Sequence, residues 1–185
     1  MQRRRTCRFL TLASLTLAAA VIFPLLAAAS APGPPYLAVS SFSAKAQHRN
    51  LTKLSVTTGA AIPRHPDAFI RSNLVVGFGW ADLDTSRGFV VTIHPASGRD
   101  SRQNPRGWHA HTVTFGPGAT APNDFCFVSI DSSPTAGIHL HGATLRVNVR
   151  TRVLPFPVSA IDTAVGFTVQ PDSACASGLG IRIST

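Results

Sequence analysis

Seven histidines occur in the chain, and four of them form two His-x-His pairs: His109 with His111, and His139 with His141. In an extended strand residues i and i+2 point to the same side, so either pair can grip one ion through two imidazoles. Copper and zinc both accept imidazole nitrogen. His94, just before Pro95, ends a neighbouring apolar run. It completes a three-histidine site with His109 and His111 if the two runs pair. A structural reading competes: histidines on an apolar face are commonly buried with hydrogen-bond partners, or sit at a strand end that opens to water.

Three other clusters could carry chemistry. The stretch from Pro95 to Gly107 holds Arg99, Arg102 and Arg106 beside Trp108, a composition able to bind a sulfate, a carboxylate or an acidic polymer. The plainer reading is a solvated loop. Asp82, Asp84 and Ser86 alternate ahead of Gly88 and offer oxygens to calcium. The glycine falls one place too late for an EF-hand loop and no acid closes it, whereas Asp and Ser are ordinary turn formers. Ser177 sits between Ala176 and Gly178, without the first glycine or the strand-to-helix setting of a hydrolase nucleophile. No phosphate-cradling loop occurs, and with no Glu in the chain acid–base work would fall to Asp and His. The sequence therefore assigns no catalytic residue.

The elements that would position these residues are strands. Short apolar runs alternate with Gly, Pro, Asp and Ser, and the period of two predicts strands over 36–42, 51–57, 73–81, 88–94, 108–115, 125–131, 137–140, 143–150, 165–170 and 179–184. One helical turn fits 158–163. Strands at this spacing, without amphipathic helices between them, predict an all-β fold: an antiparallel β-sandwich or flattened barrel of about 8–10 short strands. His109 and His111 share a face with Val113 and Phe115, while Trp108 and Ala110 lie opposite. Cys126 aligns with Val128 and Ile130 on a core-facing strand, and the last strand turns Leu179, Ile181 and Ile183 inward and Gly180, Arg182 and Ser184 outward.

A hairpin is expected at His141-Gly142, with His141 taking a positive φ in the turn and His139 on the solvent face. It sorts Ile138, Leu140, Leu145, Val147 and Val149 to one side, and Arg146, Asn148 and Arg150 to the other. A second hairpin joins 73–81 to 88–94 across Asp82–Gly88. The fragment from Gly137 to Gly142, Gly-Ile-His-Leu-His-Gly, resembles the copper-ligand strand of the copper–zinc superoxide dismutases. The likeness spans those six residues, and the further ligands and glycine-rich loops of that family do not follow.

The start of the chain is tripartite. Arg3, Arg4, Arg5 and Arg8 precede an uncharged stretch from Phe9 to Ala29, which ends in small residues. This is the pattern of a signal peptide over residues 1–30, cut near Ala29 or Ser30. The stretch is also long enough for an uncleaved anchor, for which roughly 20 residues suffice, although Pro24 interrupts it. A Pro-rich tether over 31–35 and a single domain over 36–185 follow. In an exported chain Cys126 and Cys175 are expected to form a disulfide.

Cleavage removes four of the seventeen basic residues and none of the eight acids, leaving thirteen against eight, a net charge of +5. That balance favours solubility and weak attraction to an acidic ligand or envelope component. No dense Lys/Arg stripe marks a nucleic-acid binder, and nothing after cleavage is made for a membrane. The sequence reads as an exported, non-enzymatic β-sandwich module with a binding or structural role in the cell envelope or extracellular space. The alternative is a copper- or zinc-binding protein centred on His94, His109 and His111.

Overall fold

The computed structural model describes residues 33–65, 75–94, 107–118 and 124–184. The expected signal peptide lies outside these residues. So do the first two residues of the Pro-rich tether, 31 and 32. No helix among the described residues is long and apolar enough to cross a membrane.

Among the described residues ten strands form in chain order: β1 (Val39–Gln47), β2 (Leu51–Thr58), β3 (Val75–Asp82), β4 (Arg87–Ile93), β5 (His109–Pro117), β6 (Phe125–Ser132), β7 (Gly137–His141), β8 (Thr144–Arg150), β9 (Thr163–Pro171) and β10 (Leu179–Ser184). Four are ordered β1-β2-β8-β7 in an open sheet, and the other six close into a barrel, β10-β6-β5-β4-β3-β9. Every pairing is antiparallel. The all-β fold expected from the sequence is thus present, with one of its two layers closed on itself. The first strand starts later than expected, because Pro34 and Pro35 shape a 3-10 turn over Pro35–Leu37. Likewise the expected turn at 158–163 is a 3-10 turn over Val158–Ala160.

The principal core lies between the two layers. Leu54, Val56, Leu145, Val147 and Val149 from the open sheet meet Val76, Phe78, Trp80, Phe89, Val91 and Ile93 from the barrel wall. β8 buries every second residue and exposes Arg146, Asn148 and Arg150, as the alternation predicts. β3 and β4 are buried almost throughout, since one face meets the sheet and the other the barrel lumen. Burial also pushes the Tyr36 phenol, packed beside this core, up to about 12.

Three local expectations need correction. In the β7–β8 hairpin Leu140 pairs with Leu145 and His141 with Thr144, so the loop is Gly142-Ala143 and not His141-Gly142. Gly142 takes φ +57°, and a two-residue loop with glycine first is the II′ arrangement. Moving the loop by one residue moves the pairing by two, so the two faces stay sorted as before. On β6 the register shifts twice against β5. Phe125, Phe127 and Ile130 therefore line the lumen, while Val128 is exposed. On β10 Leu179, Ile181 and Ile183 do line the lumen, but Gly180 and Ser184 on the other side are buried instead of wet.

The Cys126–Cys175 disulfide is present, with a sequence separation of 49 and Cα atoms 5.4 Å apart. Leu37, fully buried, crosses β9 so closely that a Cβ on Gly166 would stand 1.9 Å from its carbonyl oxygen. Only glycine fits there. Gly166→Ala is expected to cost at least about 3 kcal/mol, measured by urea denaturation. Gly142→Ala, with nothing within 4 Å of its Cβ, pays chiefly for its positive φ and should cost about 1–2 kcal/mol. Equal costs would contradict the described path of the N-terminal segment.

Candidate metal centre

β4 and β5 pair with Thr92 opposite His109 and Val90 opposite His111. Alternation then sends Val90, Thr92 and His94 to the lumen side, together with His109, His111, Val113 and Phe115. The other faces of the same strands carry Phe89, Val91 and Ile93, and Ala110 with the preceding Trp108, into the core between the layers. Trp108 stacks on Phe78 with ring centroids 5.7 Å apart. Its indole N–H donates to the Pro63 carbonyl at 3.2 Å. These contacts fix the start of β5, and with it the position of His109.

The three imidazoles converge. One ring nitrogen from each of His94, His109 and His111 lies within 4.8 Å of the others, and among the described residues this is the one group of His, Cys, Asp or Glu close enough to hold a metal ion. The rings are 9 %, 7 % and 3 % exposed, so the site is shielded from water. His109 stands nearly perpendicular to both neighbours, at 78° to His94 and 86° to His111.

Hydrogen bonds set the tautomers. His109 Nδ1 lies 2.7 Å from the Gly107 carbonyl oxygen. A carbonyl only accepts, so Nδ1 carries the hydrogen and Nε2 of the neutral ring holds a lone pair. His109 Nε2 is 2.9 Å from His94 Nε2, so His94 donates from Nε2 in the metal-free protein. His111 Nδ1 bonds the Ser133 hydroxyl at 2.9 Å, which leaves Nε2 as the nitrogen His111 would turn to a metal. A ring N–H anchored on a carbonyl or hydroxyl is the support that ligating histidines usually have. Two nitrogens on one tetrahedral zinc ion stand about 3.3 Å apart, from a Zn–N distance of about 2.0–2.1 Å. The His94–His109 pair reaches that spacing with a shift of a few tenths of an ångström.

Other candidate residues behave differently. His139 and His141 are exposed on the edge strand β7, opposite Arg146 and Thr144, and belong to no metal-sized group among the described residues. The dismutase-like fragment is thus one edge strand and its turn. Arg99, Arg102 and Arg106 lie outside the described residues. Asp82 is buried and accepts the Thr85 N–H at 3.2 Å, a turn role. Ser177 donates to the Phe127 carbonyl. Thr92 and Ser133 were not singled out from the sequence. Thr92 was legible in principle, two residues before His94 on the same face, whereas Ser133 reaches His111 across a strand pairing that no local signal marks.

No family model, curated protein or solved structure matches the chain. The reading therefore rests on the geometry.

The His109 tautomer is measurable. Nitrogen-15 NMR of the metal-free protein should show Nδ1 protonated and Nε2 as the pyridine-type nitrogen. The reverse assignment would break the Gly107 contact and misdirect the ring.

Proposed function

We propose that the chain is an exported metal-binding β-barrel protein, holding one zinc or copper ion on His94, His109 and His111. The observation that carries this reading is the convergence of three buried imidazoles from one strand pair. His109 Nδ1 is committed to a backbone carbonyl, so its Nε2 faces the shared point. An all-nitrogen donor set suits zinc and copper and disfavours magnesium and calcium, which prefer oxygen. Three protein ligands also leave a fourth tetrahedral position for water or an exogenous group. An ion held there would act as a Lewis acid toward whatever occupies that position. Export is supported by the signal-like start of the chain and by the disulfide, which persists in oxidising compartments.

A second reading has its own support. The His94–His109 hydrogen bond and the Gly107 and Ser133 contacts satisfy imidazoles without an ion. The triad would then be structural, within a non-enzymatic binding module of the cell envelope or extracellular space. One experiment separates the two. Zinc or copper(II) at 100 times its Kd should stabilise metal-free protein by about 2.7 kcal/mol, raising the Tm by about 5–10 °C. The shift should vanish in His109→Ala and persist in His139→Ala. No shift at micromolar metal, or a shift retained in His109→Ala, sinks the metal reading.

A further inference from the structure

The six barrel strands enclose a cavity of about 490 Å³. Its walls are aliphatic and aromatic, with Val113, Phe127, Val165, Phe167 and Ile181 among them. Apart from Thr163 toward the other end, the polar side chains of its wall are Thr92, His94 and His111, which lie close together. Thr92 is 4 % exposed, and its hydroxyl oxygen has no hydrogen-bond partner. A buried hydroxyl left unsatisfied costs about 1–3 kcal/mol, so an unpartnered one on a cavity wall points to a group that comes from outside the protein.

The space is built into the strands. Gly77 and Gly79 on β3 turn no side chain into the lumen, and the Phe167 ring lies against them: a Cβ on Gly77 would stand 2.7 Å from its Cζ. The ring takes up the room that side chains at these two positions would need. Water is a poor occupant, because each molecule needs two to four polar partners and these walls supply almost none. The volume falls in the range of small-molecule sites. Ile130 and Leu179, both on the lining, are 48 % and 37 % exposed. They lie beside the seam where β6 and β10 pair through only two residues of each strand, so the lining reaches the surface there.

We propose that the barrel lumen binds a single-chain amphiphile, an apolar body of roughly 10–15 non-hydrogen atoms with one polar end. The apolar body lies among Val113, Phe127, Phe167 and Ile181. The polar end, an alcohol or a carboxylic acid, reaches the Thr92 hydroxyl and the adjoining imidazoles. This assignment goes beyond metal binding and does not need it.

Decan-1-ol is a suitable probe, added to metal-free full-length mature protein. Calorimetry should show saturable binding of one molecule per chain. Methyl NMR should show shifts at Val90, Val113, Val165 and Ile181, and none at Leu54, Leu145 or Val147 in the other core. Ile181→Trp should weaken binding at least about tenfold, since the ring displaces two or more methylenes. The methyl map decides the matter if that variant does not fold. Absence of saturable binding, or shifts confined to residues outside the lumen, overturns the proposal. The metal reading has a separate outcome: a zinc titration without effect leaves the lumen assignment standing, and failure of decan-1-ol to bind leaves the triad untouched.

Discussion

The antiparallel register of β4 and β5, with Thr92 against His109 and Val90 against His111, is the constraint on which the rest of the molecule depends. These strands have no wet face. One side meets the open sheet and the other meets the lumen, so a slip of one residue would drive His109 and His111 into the core beneath Leu145 and Val147 and lift Ala110 into the barrel. Burying imidazoles there without partners would cost several kcal/mol. The apolar residues on the sheet side thus hold the polar residues on the lumen side in register, and Trp108 clamps the start of β5 through Phe78 and Pro63.

Polar side chains in the lumen are few. Thr92, His94 and His111 sit together at one end, Thr163 lies toward the other, and hydrocarbon lines most of the rest. In such surroundings electrostatic interactions weaken less with distance than they do in water. The same setting makes unpaired polar atoms expensive, which explains the anchoring of His109 on Gly107 and of His111 on Ser133. A carboxylate could not be added as cheaply, and none belongs to the cluster.

Much of this was legible in the residues, and the limits have physical causes. Alternation located the strands and sorted β8 correctly, because each of its residues meets either core or water. It also named His94, His109 and His111, since parity alone places two of them on one face. Parity does not say that β4 and β5 pair, and that step came from the structure. Closure of the barrel was hidden for a related reason: a strand facing a lumen and a strand facing a second sheet show the same period of two. The bulges on β6 reversed the reading of Val128 and put it out of phase with Ile130, because an inserted residue shifts the phase without changing composition. The hairpin turn was misplaced by one residue because His-Gly and Gly-Ala both fit between the same sorted strands. The register, with His141 paired to Thr144, distinguishes them, and His141 takes no positive φ.

The disulfide takes on meaning from the seam at which the barrel closes. β9 and β10 pair along six residues, whereas β10 and β6 pair only through Gly180 with Cys126 and Ile181 with Phe125. Cys126 is therefore one of the two β6 residues that hold the seam, and its partner Cys175 lies just before β10. The chain-entropy model assigns a loop of this length about 4 kcal/mol, more than two strand-pair contacts supply at about 0.2–1 kcal/mol each. Ser177 and Asp124 reinforce the same junction by bonding to Phe127 and to the Ile183 N–H. A longer β6–β10 ladder would close the barrel without a covalent link. The bridge instead ties a seam whose backbone pairing is limited to two residue pairs.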